Sequence, residues 1–196
     1  MEFLCNSRKS VFFSGLVSFC LIGTACGKQN AANEQAPTQN GLTITDGTWI
    51  KSCAKEDDGT YTKETMTTLG AALSLSITSY NDQECKSEEN ILELKGAFST
   101  VGNNIDVAFG KASVKPLNDT ELKELETMCP GINFKIGELS EILTCELGKT
   151  LSKGIFQTYY ASSTQITLGK PTASLDGTSA AKRPILLDAD NPYKKQ

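Results

Sequence analysis

Along much of the chain, apolar and polar residues alternate one by one. In AALSLSITSY, Ala71, Leu73, Leu75 and Ile77 alternate with Ala72, Ser74, Ser76 and Thr78. A period of two places one set on each face of a strand, so this stretch has one apolar face and one wet face. The pattern recurs in Leu92, Leu94 and Phe98 against Glu93, Lys95 and Ser99. It recurs again in Ile105, Val107 and Phe109 against Asp106 and Ala108. Gly102-Asn103-Asn104 between those two runs predicts a hairpin turn. Before them, from Asp46 on, GTWIKSC predicts a first strand. KASVKPL predicts another, with Pro116 at its end, where a missing N–H does least harm. GIFQTYYASSTQITLG predicts a late hairpin turning near Ser162-Ser163.

One stretch has a different period. In NDTELKELETMC, Asn118 and Glu121 have the spacing of a helix-capping pair. Leu122, Leu125 and Met128 then share one side of a helix, and Cys129-Pro130-Gly131 ends it. GELSEILTC fits a short helix or a strand equally well. The sum is about eight short strands, mostly joined by hairpins, with a short helical insertion and no internal repeat. That predicts a mainly β domain, an antiparallel barrel or a sandwich. A closed barrel leaves no sheet edge open to aggregation.

The N-terminus breaks the alternation. Arg8 and Lys9 precede a mostly apolar run, Val11 to Ile22, and the small residues Gly23, Thr24 and Ala25 follow it. This is the layout of a secretory signal. The run is too short to span a bilayer as a helix, which takes roughly 20 residues. LIGTAC, residues 21–26, resembles a bacterial lipobox, in which small residues precede a cysteine that is acylated and becomes N-terminal. The resemblance implies lipid on Cys26 and attachment to a membrane through acyl chains, each buried methylene contributing roughly 0.8 kcal/mol. Under bacterial sorting rules, Gly27 where Asp would retain a lipoprotein implies the outer membrane of the cell envelope. Residues 27–41 are polar, small and aperiodic, a composition that cannot bury enough apolar surface to fold. The expected organisation is a signal peptide at 1–25, a lipidated Cys26 with a flexible tether at 26–45, and a single β-rich domain at 46–196.

The cysteines then sort themselves. Of seven, Cys5 and Cys20 lie in the signal and Cys26 carries the lipid. Cys53, Cys85, Cys129 and Cys145 remain, an even number in an exported domain. Four cysteines permit three pairings. Cys53–Cys85 with Cys129–Cys145 is the favoured one, the second closing a loop of about 15 residues that the chain-entropy model values at roughly 3 kcal/mol. A zinc site is disfavoured, because there is no close CxxC pair and no histidine in the chain.

Charge and motifs exclude more than they assign. The formal net charge of −4 argues against a nucleic-acid surface. Without histidine the commonest general base is missing. No nucleophile elbow or phosphate-binding glycine loop is present, so the expectation is a protein that is not an enzyme and needs no cofactor or metal. Asp57-Asp58, Glu88-Glu89 and Asp188-Ala189-Asp190-Asn191 are the acidic groups left to consider. Gly59 set at the sixth position of a calcium loop puts Ala54 first and Thr65 twelfth, where carboxylates are required. The acidic groups therefore read chiefly as solvated turn charges, and a carboxylate hydrolase is the weakest reading.

Gly47-Thr48-Trp49 opens the first strand as a G-x-W motif opens lipocalin-like barrels, which this chain resembles. The broader layout is similar to a group of bacterial lipoproteins: G-x-W-x-x-x-C, then Y-x-D-x-x-C from Tyr80 to Cys85, a late pair of cysteines and an Arg-Pro tail. The resemblance implies that Trp49 lies at the closed floor of the barrel and that Arg183, the one arginine after the signal, packs over it. It also implies a binding module for a small apolar or amphipathic ligand, with a cavity near Trp49. The alternative is a structural lipoprotein with a filled core that works by touching another envelope protein.

Overall fold

A computed structural model describes residues 43–56 and 59–196. The expected signal peptide, Cys26 and most of the expected tether lie outside those residues, as do Asp57 and Asp58.

The strands form in the order the alternation predicts. They are β1 (Gly47–Lys55), β2 (Tyr61–Leu69), β3 (Ala72–Tyr80), β4 (Glu88–Val101) and β5 (Asn104–Pro116). After an insertion come β7 (Ile155–Ala161), β8 (Gln165–Leu168) and β9 (Tyr193–Lys195). Each pairs antiparallel with the next, and β9 pairs back onto β1 through Trp49–Lys195 and Ile50–Lys194. The result is a closed eight-stranded antiparallel barrel. The ring is completed by Tyr193–Lys195, a segment whose sequence shows no alternation.

Register explains the interior. Trp49 faces Met66, Met66 faces Leu75, Leu75 faces Leu94 and Leu94 faces Ala112. All five are buried. They form one inward row, and each large aliphatic in it contributes about 1.5–3 kcal/mol by leaving water. Two residues along each strand runs the next inward row: Lys51, Glu64, Ile77, Leu92 and Val114. Two ionisable side chains thus occupy an otherwise apolar layer.

Two hairpins turn on a glycine at positive φ, Gly70 at 58° and Gly102 at 59°. Glycine takes this conformation without strain, and it matches the twist of the flanking strands. β5 is one strand, although its sequence predicts two. The pairing passes from Gly96–Phe109 to Lys95–Lys111, so Gly110 is an extra, unpaired residue. Such a bulge shifts the inward–outward alternation by one and bends the strand. Opposite it, a β-carbon on Gly96 would lie 1.9 Å from the Ala108 carbonyl oxygen. The two strands approach this closely only because Gly96 has no side chain.

β5 outruns β7, and the insertion covers the part left over. The insertion comprises α1 (Asp119–Met128), a two-residue β6 (Ser140–Glu141) and α2 (Glu146–Ser152). β6 pairs with Ser113 and Val114, beyond the stretch of β5 that β7 occupies. α1 starts as its sequence predicts: Asn118 Oδ1 accepts the Glu121 N–H at 2.9 Å. The reciprocal half of the capping box is not made. Glu121 instead turns inward and accepts a hydrogen bond from Asn90 Nδ2 at 3.0 Å. GELSEILTC supplies β6, and the second helix begins just after it.

Candidate ligand site inside the barrel

The barrel is not completely filled. A cavity of about 100 Å³ runs within it, lined from every barrel strand except β4. Met66, Leu75, Ile105, Phe109 and Ile166 make its walls apolar. Lys51, Glu64, Gln157 and Tyr193 add polar atoms, and Asp188 and Asn191 reach it from the connection between β8 and β9. The volume is below the roughly 300–1,000 Å³ of ordinary ligand pockets. It is of the order of the 150 Å³ apolar cavity that accepts benzene.

The polar cluster is internally paired. Lys51 Nζ donates to Glu64 Oε1 at 2.9 Å and lies 3.9 Å from Glu56 Oε1. Tyr193 donates its hydroxyl hydrogen to Glu64 Oε2. Thr62 Oγ1 donates to Glu56 at 2.6 Å. Burial alone would lower the Lys51 pKa, but the carboxylates of Glu64 and Glu56 outweigh it and hold the ammonium above the usual lysine value. Burial, then the adjacent Glu64 charge, push the Tyr193 phenol well above its ordinary range, so it stays a donor. A buried ion pair of this kind adds little net stability, but breaking it on one side is costly.

Gln157 is different. It is 7% exposed, and its Oε1 finds no donor among the described residues. Leaving a buried acceptor unsatisfied costs about 1–3 kcal/mol.

The predicted residues are distributed as follows. Cys53 is joined to Cys85 with Cα atoms 6.0 Å apart, and Cys129 to Cys145 at 5.1 Å. The first tethers the far end of β1 to the loop after β3. In that loop the Asp82 carboxylate takes backbone N–H bonds from Glu84, Lys86 and Ser87. Those bonds, that of Ser87 foremost, lower its pKa. The second disulfide joins the C-cap of α1 to the N-cap of α2.

Trp49 is fully buried, and its Nε1 donates to Thr68 Oγ1 at 3.2 Å. The cation over its ring is Lys195, with Nζ 5.0 Å from the centroid, and not Arg183. The register dictates this, because Lys195 is the direct cross-strand partner of Trp49 on β9. Trp49 itself does not line the cavity, although its neighbour Met66 does.

Arg183 works elsewhere. It donates to the carbonyl oxygens of Ile105 at 2.9 Å and Gln157 at 2.7 Å, pairs with Asp106, and lies 5.7 Å from the Phe156 ring centroid. It pins the β8–β9 connection onto β5 and β7.

Of the acidic candidates, Asp188 alone reaches the cavity among the described residues; Glu88 and Glu89 sit at the start of β4, away from it. No three His, Cys, Asp or Glu side chains gather as a metal-holding group among the described residues.

Sequence reasoning missed Lys51, Glu64, Tyr193 and Gln157. For Lys51 a signal existed: it lies two positions from Trp49 and therefore on the same strand face. No family model matches the chain, and none of the curated proteins does.

Proposed function

We propose that this domain is a non-catalytic binding module that holds a small amphipathic molecule inside its barrel, anchored to the bacterial outer membrane through lipid on Cys26. The observation that carries the binding half is the cavity itself: apolar walls around polar groups, enclosed by a closed sheet. A few placed polar groups in an apolar site fix a ligand's orientation. The volume limits the occupant to about one ring or a short chain, so a whole acyl lipid does not fit within it. Anchoring rests on sequence, on the lipobox-like residues 21–26 and the polar tract behind them.

Saturation-transfer NMR with toluene as probe tests the binding half. Transfer to toluene, lost in a Leu75→Phe variant that fills the cavity, is the expected result. No transfer to the folded wild-type protein refutes it. Mass analysis of protein extracted from membranes tests the anchor, since an acylated Cys26 adds its lipid mass to the N-terminal peptide. The small volume also favours a second reading, a filled-core lipoprotein that contacts an envelope protein. A stoichiometric partner in a crosslinked membrane extract, together with silent toluene, would support it.

A further inference from the structure

The polar side of the cavity is unbalanced in two ways, and both point to the same occupant. The first imbalance is of charge. Lys51 is the one cation among the described residues that line the cavity, and it feels the carboxylates of Glu64, Glu56 and Asp188 together. An ammonium ion entering there meets a net negative field in a poorly solvated space, where charges act more strongly than in water.

The second imbalance is of hydrogen bonding. The Tyr193 hydroxyl is committed to Glu64, and Lys51 gives one hydrogen bond, to Glu64, with the Glu56 carboxylate 3.9 Å away as a second counter-charge. Acceptors remain. Gln157 Oε1 is buried and unpartnered. Asp188 takes the Asn191 amide at 3.3 Å, which leaves carboxylate lone pairs for another donor. Each Glu64 oxygen likewise has capacity beyond its single bond.

Resting on the binding-module reading above, we infer that the cavity selects a small apolar amine in its protonated form. The ammonium hydrogens go to Gln157 and Asp188 and the apolar body lies against Met66, Leu75 and Phe109. A carboxylate ligand would face these acceptors with no hydrogen to give, and a simple alcohol brings one hydrogen and no charge. Selection of this kind follows from buried polar groups that only the right partner satisfies.

Calorimetric titration of the purified full chain at pH 7 with benzylamine, benzyl alcohol, benzoate and toluene tests the inference. Benzylamine is expected to bind about tenfold or more tighter than benzyl alcohol, a difference of about 1.4 kcal/mol, with benzoate silent. Asp188→Asn is expected to weaken benzylamine about fivefold while leaving benzyl alcohol within about twofold, again as ratios of dissociation constants. Gln157→Leu should remove the preference further, and Asp188→Asn carries the test where that variant fails to fold. Benzyl alcohol or benzoate binding as well as benzylamine overturns the amine inference and leaves the binding module standing. A benzylamine preference unchanged in both variants also overturns it, because the amine then sits elsewhere on the acidic surface. Silence from all four probes sinks the binding module itself.

Discussion

Tyr193 and Glu64 meet inside the barrel across 129 positions of sequence, the phenol donating to the carboxylate. The contact ties β9, the strand that closes the ring, to β2. It gives the closing strand a specific register as well as backbone pairing, because a slip by one residue would turn Tyr193 outward. Tyr193→Phe removes the donor and leaves a buried carboxylate oxygen short of a partner. The expected loss is about 2 kcal/mol, measured by chemical denaturation. Lys51→Met leaves the same carboxylate buried without its counter-ion and should cost more, about 3–5 kcal/mol. If Lys51→Met proves the milder of the two, the pairing described here is wrong.

Glu121 predicts a pH effect. Burial, reinforced by the charges of Glu89 and Glu124, raises its pKa from 4.5 to about 7. The folded carboxyl then holds its proton more tightly than the unfolded one. Its contribution to stability is fully present below about pH 4.5 and is lost as pH rises through about 7. Glu121→Gln keeps an acceptor for Asn90 Nδ2 and offers an amide hydrogen to Asn90 Oδ1, which is buried and unpartnered. The variant should be more stable than wild type by about 1 kcal/mol at pH 8, with the difference shrinking toward pH 5. Stability curves of the two proteins against pH, subtracted, isolate this residue from other carboxylates such as Asp82, whose lowered pKa works in the opposite direction.

Gly96 and Gly110 lie at the same bend but should respond oppositely to substitution. A β-carbon on Gly96 would strike backbone, whereas one on Gly110 meets nothing within 4 Å. Gly96→Ala is expected to destabilise by about 3 kcal/mol and Gly110→Ala by less than about 1 kcal/mol. Thermal melting of both variants checks the ranking.

The two disulfides differ in access. Cys129 is fully buried and Cys145 nearly so, while Cys53 is exposed. Under native conditions a mild reductant should open Cys53–Cys85 first and Cys129–Cys145 only on unfolding, as alkylation and peptide mass analysis will show. Replacing Cys129 and Cys145 together by alanine should cost about 3 kcal/mol.

Much of this fold is legible in the residues. Leu73, Leu75 and Ile77 alternate as they do because one face of β3 meets the core, and Gly102 marks its turn through a φ that other residues avoid. The barrel interior is legible only in part. Lys51 is placed by its two-residue spacing from Trp49, but Glu64 and Gln157 alternate with neighbours that are themselves polar or half-buried, so period alone does not say which face those two take. β9 is too short to show a period at all, and without its register the cation above Trp49 cannot be identified. Residue type alone points to Arg183, but Lys195 is the residue that pairing places there.

Joining β1 to β9 also shapes how the molecule must fold. The Lys195–Thr45 contact links positions 150 apart, and no local structure substitutes for it. Such a closure has to wait until the intervening hairpins have brought the two strands near each other, which makes acquisition of the finished sheet a slow, late event on the millisecond-to-second scale of strongly non-local β proteins.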